Sequence, residues 1–521
     1  MPLPEFLAIL MVVAVCGLLM AGYPVALTLG GVSLGFALAA HLAGAMDIGL
    51  LYALPQRIFG VMTNTVLLAI PLFIFMGVML ERSRIAEDLL ETMGRLFGSL
   101  PGGLGISVVL VGVLLAAAKG VVGATVVTIA LITLPTMLRH GYDTRIAAGT
   151  VAATATLAQI LPPATVLVLL GDQLNNSYQA AQLAKGIFAP NSLSVSDLFA
   201  GAIVPGLTLV LLYISFLVAV AFLSPRCVPP IPPDPVAPKG LALFRQVAKA
   251  MLAPVLLIVV VLGSILIGLA TPTEAAAVGA VGAILLAALG VKGALHWPVT
   301  LSIAAFAALM ALRALADIRV GHGLAFGVVA AVILMAMLAA GLLLALRQVW
   351  HAGYLEATIT RTTQMTSMIF VILIGATLFS LVFRGLGGDG MVHRALSNLP
   401  GGAAGAILAV MLAMFLLGFV MDAFEIIFVV VPIVAPPLLQ MDGVDPVWLG
   451  ILMAVNLQTS YMHPPLGPTL FFLRGVAPPE ITTRHIYVGI IPFVLIQLCA
   501  LVALWFAPGL ATWLPRMLYG G

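Results

Sequence analysis

The sequence predicts an all-α membrane protein that crosses the bilayer many times. Its 521 residues are 62% hydrophobic and only 8% charged, and the mean hydropathy is +1.21. Soluble proteins carry about 45–50% apolar and about 25% charged residues, so no water-soluble fold would hide this much apolar surface. The apolar runs are long and unbroken, whereas the strands of an outer-membrane barrel alternate over about 10 residues. The composition therefore excludes a soluble enzyme, a nucleic-acid-binding protein and an outer-membrane barrel.

Apolar runs of about 20 residues, the length that crosses a bilayer, recur along the whole chain. The predicted spans are 5–22, 24–43, 65–80, 150–172, 198–223, 250–270, 273–291, 300–316, 323–346, 366–384, 446–473 and 487–507. Two further apolar stretches, 104–138 and 402–438, are too long for one span and too short for two. We predict that they are re-entrant helical hairpins, named hairpin one and hairpin two, because irregular backbone at membrane depth is tolerated only where protein or a water-filled cavity covers it.

The chain divides near its middle at a proline-rich extended segment. We predict a first half at 1–223, a cytoplasmic connector at 224–249, scaffold helices at 250–365 and a second half at 366–521. A charged stretch at 353–366 is predicted to lie along the membrane surface. Lys and Arg are commoner in the loops on one side, which places the loop 81–101 in the cytoplasm.

The two halves carry similar landmarks in the same order. Each hairpin is followed by a span that contains two consecutive prolines, Pro162-Pro163 in the first half and Pro464-Pro465 in the second. The predicted topology opens hairpin one to the cytoplasm and hairpin two to the outside. The sequence thus predicts inverted repeats, which are common in secondary transporters.

The two proline pairs predict helices that are broken inside the membrane. Proline removes an N–H group and clashes with the preceding turn, so two in a row free carbonyl groups and half-helix ends. Such groups attract ions, and a hard cation such as Na⁺ takes oxygen ligands. The alternative for each pair is a structural kink. The polar residues beside the breaks are Thr154, Thr156, Gln159 and Thr165 in the first half, and Asn456, Gln458, Thr459 and Ser460 in the second.

Three charged residues near the hairpins and breaks are candidates for function, because a charge at membrane depth is costly. Asp422 in hairpin two is either a cation ligand or the N-cap of the returning helix. Lys119 in hairpin one either pairs with a carboxylate, from the protein or the substrate, or extends to the cytoplasmic water. Arg384 flanks a span, where it either meets an anionic substrate or anchors the membrane edge.

The order and spacing of several motifs resemble the large membrane subunit, of DctM type, of tripartite ATP-independent periplasmic (TRAP) transporters. The resemblance covers nearly the whole chain. Its motifs are AIPLFIFMG (69–77), AKGVVGATVVTIALITLPTM (118–137), TLAQILPPATVLVLLGD (156–172), GAIVPGL (201–207), TPTEAAAVGA (271–280), MDAFEIIFVVVPIV (421–434) and NLQTSYMHPPLGPTLFFLRGVAP (456–478).

This resemblance implies an elevator-type importer in the bacterial inner membrane that couples the uptake of an organic anion to Na⁺. Its partners would be a small four-helix membrane subunit and a soluble periplasmic substrate-binding protein. It implies no enzyme activity, no nucleic-acid partner and no cofactor beyond Na⁺ as the coupling ion. Two spans at about 300–346 are additional to the usual family pattern, and we expect them at the periphery.

The resemblance also places sodium sites where each hairpin tip meets its neighbouring broken span. This chain departs from the family at three places: both tip serines are replaced by Val122 and Ala124, one break hydroxyl by Ala155, and the threonine after the hairpin-two aspartate by Phe424. The expected sodium-binding residues are Gly120, Gly123, Thr125, Thr154, Thr156, Pro162, Asp422, Asn456, Thr459, Ser460 and Pro464. The expected substrate-binding residues are Lys119, Gln159, Thr165, Gln458 and Arg384.

The main alternative is a stand-alone Na⁺ or H⁺ symporter of a related fold that works without a binding protein. An intramembrane enzyme is disfavoured because the sequence contains neither HExxH nor GxSxG. An ATP-driven pump is disfavoured because it contains no GxxxxGK[ST] motif. A channel remains open as an alternative, although it has no need of two opposed hairpins.

Overall fold

The structure, a computed structural model, describes residues 2–83, 89, 92–94, 96–119, 122–231, 241–291, 296–315, 325–419, 421–464 and 467–520. All the regular secondary structure in these ranges is helical. Eight of the described helices are long and apolar enough to cross a membrane. The predicted class, an all-α polytopic membrane protein, is confirmed.

The described part of the first half contains nine helices, which we number in chain order. They are α1 (Leu3–Met20), α2 (Val25–Leu42), α3 (Leu54–Met62), α4 (Ala69–Arg82), α5 (Gly103–Lys119), α6 (Val122–Arg139), α7 (Thr144–Thr156), α8 (Thr165–Ala184) and α9 (Val195–Leu223). Short 3₁₀ turns lie at Ile48–Ala53, Leu157–Gln159 and Pro225–Cys227.

The remaining helices follow the proline-rich segment. They are α10 (Leu241–Leu266), α11 (Pro272–Leu289), α12 (His296–Leu315), α13 (Ala325–His351), α14 (Tyr354–Gly385), α15 (Gly388–Ser397), α16 (Gly402–Leu417), α17 (Ala423–Val429), α18 (Val431–Gln440), α19 (Pro446–Ser460), α20 (Pro468–Val476), α21 (Thr483–Phe506) and α22 (Gly509–Tyr519).

Local sequence signals explain where several of these helices begin. Ser194 and Asp197 form a capping box at the start of α9, and Thr271 and Glu274 form another at the start of α11. In such a box the side chain of the N-cap and that of the third residue satisfy each other's backbone N–H groups, which the helix itself leaves unpaired.

Two sequence-based boundaries differ from the structure. The stretch 353–366 is not a separate surface helix, because α14 runs without interruption from Tyr354 to Gly385. No proline or glycine interrupts 354–374, so nothing breaks the helix there. The connector is also shorter than predicted: α10 already begins at Leu241, where Leu, Ala, Arg and Lys favour a helix. Residues 232–240 of the connector lie outside the described residues.

Most of the described helices pack into two groups. The scaffold group consists of α2, α4, α11 and α14; α14 packs on α2 and on α4, and α4 packs on α11. The hairpin group consists of α5–α8 and α16–α21. The two additional helices, α12 and α13, pack on each other and on α11, and only 11% of the apolar window Gly327–His351 is buried. These two helices therefore lie at the periphery.

The hairpins contact the broken helices in a reciprocal manner. The first helix of each hairpin, α5 or α16, packs on the helix before the break of its own half, α7 or α19. The returning helix α6 of hairpin one packs on α20, which follows the second break, and the returning helix α18 of hairpin two packs on α8, which follows the first. Each hairpin thus bridges both broken helices.

Candidate functional site

Both hairpin tips and both broken helices line one cavity of about 1200 Å³, which we call the large cavity. Hairpin one contributes Gly123 and hairpin two contributes Asp422 and Glu425, while the breaks contribute Gln159 and Tyr461. The other wall is the first half of α14, from Glu356 to Met368. The cavity therefore lies between the scaffold group and the hairpin group.

The first break lies between α7 and α8. Helix α7 ends at Thr156, one 3₁₀ turn follows, and α8 begins at Thr165. Pro162 and Pro163 have no N–H group, so they cannot donate to the carbonyl groups of Ala158 and Gln159 one turn earlier. The break thus exposes carbonyl oxygens in the protein interior, as the sequence predicts.

The second break lies between α19 and α20. The Tyr461 hydroxyl accepts a hydrogen bond of 3.0 Å from the Ala423 N–H, so the tip of hairpin two is attached directly to this break. Pro464 lies in the connecting turn, and the His463 ring packs against Phe419 with ring centroids 4.8 Å apart. Residues 465–466 lie outside the described residues.

Asp422 and Glu425 place two carboxylates at the tip of hairpin two. Asp422 is the N-cap of α17, and its side chain accepts from the backbone N–H groups of Ala423 and Glu425. The Glu425 side chain accepts in return from the Asp422 N–H at 3.1 Å. Both carboxylates also line the large cavity. Asp422 is therefore the helix cap, one of the two roles that the sequence allows it.

Several oxygen atoms beside the two breaks are buried without a hydrogen-bond partner in the described structure. Buried polar groups are normally paired, so a group of orphaned oxygens indicates that something else satisfies them. Their chemistry fits a hard cation, which prefers neutral and anionic oxygens. These atoms are Thr150 Oγ1, Thr154 Oγ1, Gln159 Oε1, Gln458 Oε1, Thr469 Oγ1 and Gln497 Oε1.

A buried hydrogen-bond network joins the two breaks and includes the side chain of Gln497. The Gln497 amide donates to the Tyr213 hydroxyl at 2.7 Å and to the Thr156 hydroxyl at 3.4 Å. The Gln458 amide donates to the same Thr156 hydroxyl, also at 3.4 Å. The side chains of all four residues are fully buried, so water does not compete for these bonds. Thr156 of the first break and Gln458 of the second are thereby joined.

Sequence reasoning did not find Gln497 and Tyr213. Each lies in a long apolar helix, α21 or α9, with no motif beside it. The available signal was a lone amide in an apolar span, because a polar residue at membrane depth is costly unless it has a partner.

The other predicted break residues are held by backbone carbonyls. The hydroxyl groups of Thr459 and Ser460 donate to Val455 and Leu457 in their own helix, which leaves their oxygen lone pairs available. The Asn456 amide donates to the Met411 carbonyl at 2.8 Å and so joins α19 to the first helix of hairpin two. These contacts fix the position of each break against a hairpin.

The structure brings most of the predicted site residues together. Gly123, Gln159 and Asp422 line the large cavity. Gly120 and the side chain of Lys119 lie outside the described residues, so their predicted roles stay predictions. The predicted residues that are buried around the two breaks are Thr125, Thr154, Thr156, Thr165, Asn456, Gln458, Thr459 and Ser460.

Arg384 is separated from this site. It lies near the end of α14 and forms an ion pair with Asp389, with Nε and Oδ2 3.2 Å apart. Partial burial raises the pKa of the Asp389 carboxyl, and Arg384 opposes this shift. A helix rises about 1.5 Å per residue, so Arg384 is roughly 35 Å along the axis from Arg361 at the large cavity. Arg384 therefore does not contact a ligand there.

The large cavity has an excess of acidic groups among its described lining residues. Its carboxylates are Glu81, Glu356, Asp422 and Glu425, and its guanidinium groups are Arg82 and Arg361. Glu81 accepts a 2.7 Å hydrogen bond from Thr128, which joins α4 of the scaffold group to hairpin one. An anion entering this cavity would need compensating positive charge.

These features, helical hairpins packed against broken helices around a cavity, are typical of helical membrane transporters. The chain matches the sequence profile of the tripartite ATP-independent periplasmic transporter, DctM component, over residues 11–338 and 299–510. It therefore belongs to the DctM family of TRAP transporter large permease subunits, and it is a multi-pass protein of the bacterial inner membrane.

Curated relatives agree with this assignment. The chain is 26% identical to the C4-dicarboxylate TRAP transporter large permease protein DctM of Vibrio cholerae over 512 residues, with 98% of each chain covered. It is also 26% identical to the isethionate TRAP transporter permease protein DctMQ of Oleidesulfovibrio alaskensis, covering 94% of this chain and 64% of that one. These relatives are transporter permeases, not enzymes.

A solved structure shares the fold. The YdaH transporter of Alcanivorax borkumensis aligns with a TM-score of 0.53 and 16% sequence identity, and 98% of each chain is covered. At this identity the similarity concerns the fold alone.

Proposed function

We propose that this chain is the large permease subunit of a secondary active importer, which couples the uptake of an organic anion to Na⁺. The observation that carries the proposal is the large cavity, where both hairpin tips and both helix breaks meet. Orphaned oxygens beside these breaks supply the ligand type that Na⁺ prefers. The expected ligands are the sodium-binding residues predicted from the sequence, joined by Gln497 Oε1.

The charge of the site supports coupling to a cation. The described lining of the large cavity carries four carboxylates and two guanidinium groups, so an unaccompanied anion is repelled. Bound Na⁺ ions would offset this charge and raise the affinity for the anion, which is thermodynamic coupling between two ligands. Lys119, at the end of α5, is expected to add positive charge at the tip of hairpin one.

The names of the relatives support a class of substrate. Their printed names include a C4-dicarboxylate, isethionate and 2,3-diketo-L-gulonate, all of which are organic anions. Two relatives are named for ectoine, which carries a carboxylate as well. We therefore propose a small carboxylate or sulfonate as the substrate.

The proposed partners are a small four-helix membrane subunit and a soluble periplasmic binding protein. The relative named DctMQ is longer than this chain, which covers 64% of it. The extra length agrees with a second subunit fused to the permease. In the proposed cycle the hairpin group moves as an elevator against the scaffold group, and the small subunit braces the scaffold.

The test is uptake into proteoliposomes that contain the chain, its small subunit and its binding protein. Radiolabelled succinate and isethionate serve as probes, with and without an inward Na⁺ gradient. Thr156→Ala and Asn456→Ala should each raise the Na⁺ concentration at half-maximal uptake, by about tenfold if one ligand worth about 1.4 kcal/mol is lost. Cys499→Ala, an exposed residue away from the breaks, is the control.

Two results would contradict the proposal. Uptake that ignores Na⁺ but follows a pH gradient would indicate a proton symporter. Full uptake by the chain alone, without the other two proteins, would indicate a stand-alone transporter.

A further inference from the structure

A second cavity, of about 390 Å³, lies between the same two helix groups at the other end of α14. We call it the small cavity. Helix α14 lines the large cavity up to Met368 and the small cavity from Leu373 to Arg384. Helix α17 likewise presents Glu425 to the large cavity and Phe428 to the small one. The two cavities therefore lie at opposite ends of one boundary.

Polar side chains line the small cavity in rows. On α14 they are Thr377, Ser380 and Arg384, which the helical repeat places on one face. On α8 the row includes Gln173 and Ser177. Polar groups facing inward within membrane helices usually mark a ligand path, because they are costly where they serve no purpose.

The small cavity holds two arginines that repel each other. Arg57 of α3 and Arg384 of α14 both line it, so two like charges face one cavity. In the described part of the chain no carboxylate lies within 4 Å of the Arg57 guanidinium. The partner of Arg384, Asp389, lies outside the cavity lining, and both side chains are nearly half exposed, so this ion pair is weak.

One carboxylate, Asp172, also lines the small cavity. Its two oxygens accept hydrogen bonds from the amides of Asn64 at 2.8 Å and Gln173 at 3.1 Å. The described lining thus carries two guanidinium groups against one carboxylate, whereas the large cavity has an acidic excess. The two ends of the boundary have opposite formal charge.

We propose that the small cavity is a second binding site for a small organic anion, held between Arg57 and Arg384. A carboxylate or sulfonate matches the donor geometry of guanidinium groups, and an anion between them removes their mutual repulsion. The hydroxyl group of Ser380 supplies a further donor, whereas those of Thr377 and Ser177 donate to carbonyl groups in their own helices. The volume lies within the usual range of about 300–1,000 Å³ for small-molecule pockets.

This site would receive the anion from the side of the membrane opposite to the large cavity. The anion would bind there first without Na⁺, and only the acidic large cavity would require the cation. The ligand class rests on the proposed function, whereas the site itself does not depend on Na⁺ coupling.

The test measures the local charge with thiol reagents. Cys16, Cys227 and Cys499 are replaced by alanine, and Ser380→Cys then places a single thiol in the small cavity. In membrane vesicles its labelling rate is compared for 2-sulfonatoethyl methanethiosulfonate, an anion, and 2-(trimethylammonio)ethyl methanethiosulfonate, a cation. Each rate is divided by the rate at which the same reagent reacts with 2-mercaptoethanol in solution. Thr360→Cys, in the large cavity, is the matched control.

The expected result is a preference for the anionic reagent at Ser380→Cys and for the cationic reagent at Thr360→Cys. Adding Arg57→Gln or Arg384→Gln should lower the anion preference at Ser380→Cys by about tenfold each, because one charge about 6 Å away in water changes the two labelling rates about threefold in opposite directions. Neither change should alter labelling at Thr360→Cys, which also shows that the variants remain folded. Equal relative rates for the two reagents at Ser380→Cys, or an anion preference that neither arginine substitution changes, would overturn the proposal.

A second measurement separates binding from a merely positive surface. Succinate or isethionate should slow the labelling of Ser380→Cys more than chloride at equal ionic strength, in Na⁺-free buffer as well. In the Arg57→Gln variant, the anion concentration that gives half-maximal protection should rise at least fivefold. If neither anion protects beyond chloride, there is no binding site. Transport that proves independent of Na⁺ would contradict the proposed function and leave these expectations unchanged.

Discussion

Gly112→Ala tests whether the contact between hairpin one and the first break sets the affinity for Na⁺. Gly112 lies in α5 directly against the methyl group of Thr154, whose hydroxyl is one of the orphaned oxygens. A Cβ atom at Gly112 would overlap this methyl group and would lie 3.3 Å from Ile129 Cδ1. Thr154 is fully buried and has few alternative rotamers, so its side chain must move.

The size of the effect follows from this overlap. Carbon atoms pack at about 3.5–4.0 Å, so the Thr154 methyl must shift by more than about 1 Å. Binding groups need to stay within about 0.5 Å of the productive geometry. We expect the Na⁺ concentration at half-maximal uptake to rise about tenfold, equivalent to about 1.4 kcal/mol. The overpacking costs about 1–3 kcal/mol of folding stability, and the gain of about 1 kcal/mol in helix propensity offsets part of it.

The assay is Na⁺-dependent succinate uptake together with thermal unfolding of the purified chain. Gly263→Ala is the matched control, because this glycine also lies inside a helix but has no atom within 4 Å of the added Cβ. The control should keep the wild-type Na⁺ dependence and be slightly more stable. A Gly112→Ala protein with wild-type Na⁺ dependence would refute the assignment of Thr154 as a ligand.

Two further predictions concern buried contacts in the hairpin group. Gly149→Ala should lower the unfolding temperature markedly, because its Cβ would overlap the Gly489 carbonyl on α21, and backbone cannot move aside as a side chain can. Gly17→Ala, inside α1 with open space around the added Cβ, should be slightly more stable, like Gly263→Ala. Equal unfolding temperatures for the Gly149→Ala and Gly17→Ala variants would contradict the packing of α7 on α21. Gln497→Leu should raise the Na⁺ concentration at half-maximal uptake several-fold and alter its Hill coefficient, since it removes the 2.7 Å bond to Tyr213 and one of the two amide donors to Thr156. Tyr213→Phe should cause a smaller change in the same direction, and a Hill coefficient unaffected by either substitution would show that the network is only structural.

Local physical chemistry explains what could be predicted from the sequence. The long apolar runs predict the membrane spans, because a bilayer of fixed thickness imposes a fixed helix length. Pro162-Pro163 predicts the break between α7 and α8, since proline cannot complete a helix whatever its surroundings. Asp422 as an N-cap, one of the two roles that the sequence allows it, predicts the start of α17, because a cap satisfies only groups within its own turn.

The tertiary structure alone decided which of these segments meet. The sequence places Arg384 with the substrate-binding residues, but the uninterrupted α14 carries it to the small cavity. The sequence does not indicate that Gln497 and Tyr213 join Thr156, since these side chains come from three helices far apart in the chain. Helix periodicity fixes which residues share a face, but not which neighbour that face meets. That choice depends on the packing of many side chains at once, and it is made only when the whole chain has folded.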